Sequence, residues 1–98
     1  MSRLFTPLKI GGMDIANRVT VAPMCQYSAD NGSMTDWHLM HVGTLAISGA
    51  GMVVIEATGV VPEGRITPHC VGLYSDQNEA AMARVVRYAR SDGGDNRA

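Results

Sequence analysis

Val19-Thr20-Val21-Ala22-Pro23-Met24-Cys25-Gln26-Tyr27-Ser28 decides how this chain is read. Its first half is short, apolar and β-branched, the composition of a buried strand, and Pro23 ends it because proline brings no N–H to a ladder. The stretch from Arg18 to Ala22 therefore predicts a strand that hands a methionine, a lone thiol and a tyrosine to the space beyond its end. A second run, Met52-Val53-Val54-Ile55-Glu56-Ala57, is almost continuously apolar, as expected of a strand covered on both faces in a parallel sheet.

Between the two runs, Thr35 is a good helix N-cap with Asp36 favourably placed in the first turn. Trp37, His38, His41, Val42, Leu45 and Ala46 follow at helical spacing, and Gly49 and Gly51 can stop the helix. Residues 26–34 read as a loop with turn chemistry at Asp30-Asn31-Gly32. After the second strand comes a long loop through Pro62-Glu63-Gly64-Arg65-Ile66-Thr67-Pro68. Asp76 as N-cap and Glu79 three later form a capping box for a second helix, with Ala80, Met82, Ala83, Val86 and Ala89 as its inner face. Upstream, Leu8-Lys9-Ile10 and Met13-Asp14-Ile15 around Gly11-Gly12 predict a hairpin.

The order is hairpin, strand, helix, strand, helix. A parallel neighbour requires a crossover, so the class is α/β with a parallel sheet, and the repeated strand–helix unit favours a barrel. Two strands cannot close a barrel of eight. Residues 1–98 thus read as part of one larger TIM (β/α)8 barrel domain, with the polar stretch 91–98 a disordered or non-native tail.

Composition narrows the partners. Of 98 residues, 46% are hydrophobic and 17% charged, which suits a packed interior and excludes a disordered chain. The formal net charge is −1 with basic residues scattered singly, so no nucleic-acid footprint is present. No apolar run approaches the ~20 residues that span a bilayer, no signal peptide is visible, and two cysteines make no disulfide framework. A cytoplasmic protein without membrane partners is expected.

In a (β/α) barrel the residues at the C-terminal ends of the strands line the site. Here these are Pro23, Met24 and Cys25, with Tyr27 just beyond, and Glu56, Ala57 and Thr58. An apolar platform, a thiol, a phenol and small residues suit a planar, partly apolar cofactor better than a phosphosugar alone. His38 and His41, one helical turn apart, offer half a metal site but no third ligand, so no metal is expected. Glu56 could be a general base, and reads better as a paired structural carboxylate. Arg65 reads as a brace for the long loop, Cys70 as a structural thiol. Neither glycine pair matches a dinucleotide-binding loop.

Leu4-Phe5-x-Pro7, Asn17-Arg18, Pro23-Met24-Cys25-Gln26-Tyr27, Asp36-Trp37-His38, Glu56-Ala57 and Pro62-Glu63-Gly64-Arg65-Ile66, in this order and spacing, resemble the N-terminal part of the Old Yellow Enzyme family. The thiol beside Pro-Met resembles the bacterial branch that includes YqjM-like and xenobiotic reductases. The resemblance implies a TIM barrel, closed at its base by an N-terminal hairpin, that binds FMN without a covalent bond. It implies hydride transfer from NADPH or NADH to the flavin and on to an activated alkene such as an enone or nitro compound. Pro23, Met24, Cys25 and Ala57 would then contact the flavin, Cys25 tuning its potential and touching the substrate side, and Tyr27 would hold the substrate carbonyl. A homo-oligomeric full-length protein is implied too.

The sequence departs from the family after the second helix. The flavin-binding glutamine, the His-x-Gly-Arg segment, the substrate-gripping histidines, the proton-donor tyrosine and the phosphate loops have no counterpart, so the FMN phosphate has no recognisable anchor. Taken with the polar tail, this makes an N-terminal fragment, inactive alone, the first expectation. A truncated or frameshifted non-catalytic product is the alternative, and a different barrel enzyme acting on phosphosugars a third.

Overall fold

The computed structural model describes residues 3–92, the last two by backbone alone. Strands β1 (Leu8–Ile10) and β2 (Met13–Ile15) pair antiparallel with Ile10 opposite Met13. Gly11, at φ +58°, takes the first loop position, where a type II′ hairpin turn needs a positive φ. Strand β3 (Thr20–Val21) pairs in parallel with β4 (Met52–Val53), Thr20 beside Met52 and Val21 beside Val53. Helices α1 (Asp36–Ala46) and α2 (Asp76–Asp92) pack against each other, and α1 also contacts β4.

The two parallel strands are shorter than the sequence predicts. Arg18, Val19 and Ala22 lie outside β3, and residues 54–57 outside β4. Nor are they covered on both faces: Val53 is half-buried and Val54 is exposed. A strand is defined by its ladder, and among the described residues β3 and β4 pair only with each other.

The entry to β4 is fixed by Asn17. Its Oδ1 accepts the N–H groups of Val19 and Gly51, both at 2.9 Å, and its Nδ2 donates to Gly49 O at 2.8 Å. A side chain on Gly51 would overlap the Asn17 carbonyl oxygen, which explains the glycine.

The core consists of Ala29, Met34, Val42, Val71, Val85 and Ala89. Full burial of a valine or methionine contributes about 1.5–3 kcal/mol. Two of these residues, Ala29 and Met34, come from the stretch read as a plain loop. Between them Asp30 and Ser33 form a short antiparallel bridge around Asn31 (φ +51°) and Gly32 (φ +81°). Both central residues have positive φ, as a type I′ turn requires and as Asn-Gly supplies cheaply.

Helix α2 departs from expectation in three ways. Its N-cap is Ser75, whose Oγ accepts the Asn78 N–H at 3.1 Å, and not Asp76, which is the first helical residue. Its inner face is Asn78, Val85 and Ala89, with Ala81 and Met82 partly buried, while Ala80 is exposed. Ala80 stands two positions, about 200° of turn, from both Asn78 and Met82, which places it on the opposite face. Finally, the helix continues through Ser91 and Asp92, two residues into the stretch read as a tail, and the rest of that stretch lies outside the described residues.

Candidate active site at the strand ends

Cys25 and Ala57 each lie four residues beyond a paired position, Val21 and Val53, on parallel strands. The ladder continues as far as the Val54 N–H, which donates to Val21 O at 3.1 Å. Further on, the Gln26 N–H donates to Glu56 Oε1 at 3.5 Å. Both strands thus leave the sheet at the same end, with Pro23, Met24 and Cys25 following β3 and Ala57 following β4. Pro23, Met24 and Ala57 are exposed and Cys25 is half-buried. Met24 shares a narrow cleft with Val54, Ile55 and Glu56.

Tyr27 is 53% exposed and has φ +53°, the left-handed region that bulky residues seldom occupy. Its neighbours hold that bend: Ser28 Oγ donates to Gln26 O at 2.9 Å, and Gln26 Nε2 donates to Met24 O at 2.9 Å. The Trp37 indole N–H reaches across from α1 to Gln26 Oε1 at 2.9 Å.

Behind this edge lies a pair that helical spacing did not reveal. His38 is completely buried and Glu56 nearly so, with His38 Nε2 3.6 Å from Glu56 Oε2. His38 Nδ1 accepts the Thr35 N–H at 2.9 Å, closing the helix start in the way a capping-box side chain does. Burial pushes the His38 pKa below its ordinary value, helped by nearby His41. Burial pushes the Glu56 carboxyl up, against the Gln26 N–H, which favours the charged form. The sequence set His38 against His41 only as half a metal site and read Glu56 as a paired structural carboxylate; the structure makes His38 that carboxylate's neighbour. The available signal was a histidine at the third helical position facing a glutamate at a strand end. Among the described residues no group of three or more His, Cys, Asp or Glu side chains could hold a metal ion.

The two other residues singled out are structural. Arg65 donates to Pro62 O at 3.0 Å and Pro68 O at 3.3 Å and lies 5.8 Å from the centre of the Tyr74 ring, bracing the loop. Cys70 is buried, and its sulfur receives the Thr67 N–H at 3.2 Å. The neighbouring Thr67 hydroxyl draws its thiol below the ordinary value, with burial opposing.

An exposed, largely apolar edge at the C-terminal end of parallel strands, the end at which barrels carry their sites, marks this chain as a piece of a (β/α) barrel. The comparisons agree. The sequence profile of the NADH:flavin oxidoreductase / NADH oxidase family matches residues 3–94, and the chain belongs to that family. It is 44% identical over 90 residues to an NADH:flavin oxidoreductase of Gibberella zeae, which covers 92% of this chain and 22% of that protein. Morphinone reductase, solved in complex with tetrahydroNAD, superposes with a TM-score of 0.84 at 28% identity over 95% of this chain and 25% of its own. The Old Yellow Enzyme of Pichia sp. AKU4542 shares the fold at a TM-score of 0.85 and 24% identity, over 93% of this chain and 24% of its own.

The fold is accordingly part of an Old Yellow Enzyme-type TIM barrel, and the family is one of oxidoreductases that use FMN and a nicotinamide nucleotide. The chain spans between 22% and 27% of the length of the curated relatives it matches. The residues present fit the ring end of FMN: a planar apolar group would cover the exposed Pro23 and Met24, and the small Ala57 leaves it room.

Proposed function

We propose that this chain forms one wall of the flavin site of an FMN-dependent NAD(P)H oxidoreductase that reduces activated alkenes. The observation that supports it best is the level placement of Cys25 and Ala57 at one end of a parallel strand pair. In this reading Pro23 and Met24 form an apolar platform under the ring, and Ala57 keeps the β4 side open to its edge. The Cys25 thiol, half-buried beside the platform, adjusts the electronics of the site and lies toward the substrate; it forms no covalent bond. The Tyr27 hydroxyl, carried outward by the left-handed backbone, donates a hydrogen bond to the substrate carbonyl and holds its double bond over the ring. When bound, FMN supplies the hydride that reaches the β-carbon of an enone or nitro-alkene.

Turnover belongs to the assembled barrel, since this chain corresponds to about a quarter of its relatives; alone it is inactive. The full-length protein would be a homo-oligomer. Two free cysteines suit a reducing, cytoplasmic setting.

A graft tests the reading. Residues 3–92 replace the matching quarter of the Gibberella zeae relative, and the purified chimera is assayed for bound FMN and for NADH- or NADPH-dependent enone reduction. We expect a yellow protein that reduces enones and loses most of that rate on Tyr27→Phe. A folded chimera that holds no FMN would refute the flavin wall. One that holds FMN and oxidises the nicotinamide but leaves enones and nitro-alkenes untouched would refute the substrate class.

A further inference from the structure

His38 caps the start of α1, but Glu56 completes neither a helix nor a ladder, and the buried pair follows directly behind the exposed edge. Glu56 Oε1 accepts the Gln26 N–H, while Oε2 faces His38 Nε2. Because Nδ1 of His38 already accepts the Thr35 N–H, the ring proton of the neutral imidazole resides on Nε2 and points a donor toward the carboxylate. The Gln26 side chain carries the connection on, donating to Met24 O and accepting from the Trp37 indole. Three parts of the chain meet in these contacts: the first turn of α1, the segment beyond β4, and the segment beyond β3. Burying a carboxylate is costly, and an apolar residue of similar size would serve packing alone as well or better.

We infer that Glu56, backed by His38, is a positioning residue that acts through Gln26 to fix the Met24–Cys25–Gln26 segment at the strand end. The use of that segment rests on the flavin reading above. Fixing it sets the reach of the Cys25 thiol and the direction in which Tyr27 leaves the strand. Neither Glu56 nor His38 need touch flavin or substrate.

The chain carries its own reporters. Its two thiols differ, Cys25 half-buried and Cys70 2% exposed, and its single tryptophan is bonded to Gln26. The experiment follows modification of the 98-residue protein by a disulfide reagent, together with the indole N–H resonance of Trp37. In Glu56→Ala we expect Cys25 to react about tenfold faster, the factor that ~1.4 kcal/mol of lost restraint gives. The Trp37 resonance should move while Cys70 stays protected. Glu56→Gln keeps an acceptor oxygen for the Gln26 N–H and should return Cys25 and Trp37 close to wild type.

Wild-type Cys25 reactivity in Glu56→Ala would overturn the inference. So would Cys70 opening in step with Cys25, because the residue would then serve stability alone. Should Glu56→Ala fail to fold, Glu56→Leu carries the test: it fills the space but cannot accept the Gln26 N–H, and wild-type Cys25 and Trp37 signals there would refute the inference. These readouts need no flavin. FMN fluorescence, titrated with the same proteins, reports separately on the flavin wall, which can fail while the positioning pair stands.

Discussion

The imidazole of His38 is held between the Thr35 N–H, 2.9 Å from Nδ1, and the Glu56 carboxylate, 3.6 Å from Nε2. Both residues are buried, so each titrates away from its ordinary value, and in opposite senses. Below 6.5 the unfolded chain takes up the histidine proton that the folded chain resists, so the His38 contribution is lost as pH falls. Above 4.5 the unfolded chain ionises the glutamate that the folded chain prefers neutral, so the Glu56 contribution is lost as pH rises. Between these values the two oppose each other. In Glu56→Gln only the histidine remains, so stability should fall more toward acid across that window than it does in wild type. Urea midpoints across the window provide the check, and a Glu56→Gln profile no steeper toward acid than wild type would contradict the assignment.

Asn78 anchors the Asn31-Gly32 turn on α2. It is 1% exposed, its Nδ2 donates to Asn31 O at 3.1 Å and Ser33 Oγ at 3.0 Å, and its Oδ1 accepts the Tyr74 N–H at 3.3 Å. Asn78→Ala removes the partner of the Tyr74 N–H and of Ser33 Oγ, and one of two donors to Asn31 O, and should cost about 1–3 kcal/mol. Asn78→Asp is expected to be worse, because a carboxylate oxygen would meet the Asn31 carbonyl oxygen where an amide donated. Equilibrium denaturation ranks the three proteins, and the order wild type, alanine, aspartate is the expected one.

Much of the fold was readable because local chemistry decides it. The hairpin followed from Gly11-Gly12 between alternating runs, and α1 began after Thr35 as its capping chemistry indicates. Strand lengths were not readable, since ladder bonds depend on a neighbour and not on β-branching at Arg18–Ala22 or Met52–Ala57. The start of α2 was missed by one residue, because the bond from the Asn78 N–H to Ser75 Oγ that marks the cap shows only in the folded chain. At the site, strand direction was readable: β3 and β4 run parallel, so the residues that follow them leave the sheet at the same end. The His38–Glu56 pair was not, because it joins residues far apart in sequence through tertiary packing. Asn17 was noticed only as part of the family resemblance, yet it organises the entry to β4.

That entry yields a further prediction. Gly51 lies against the Asn17 carbonyl oxygen, which belongs to the backbone and cannot swing aside. Gly51→Ala should therefore destabilise the protein by about 1–3 kcal/mol, as overpacking does. Gly12→Ala, where an added methyl meets nothing within 4 Å, is the matched control and should cost much less. Thermal melts of the two variants distinguish a steric cause from a general cost of replacing glycine; equal losses would point to the latter.

Tyr27 tests whether its unusual backbone serves fold or site. At φ +53° any residue with a side chain is strained by roughly 1–2 kcal/mol relative to glycine, and this one buries less than half its surface in return. Tyr27→Ala keeps the strain and discards the ring, whereas Tyr27→Gly relieves it and gives back part of the gain through the freer unfolded chain. The glycine variant should thus be more stable than the alanine variant by up to about 1 kcal/mol, measured by urea denaturation. The opposite order would mean that the left-handed turn is not what limits this position. A wild type no more stable than the alanine variant would show in addition that the ring has no folding role, as expected where strain is kept for function.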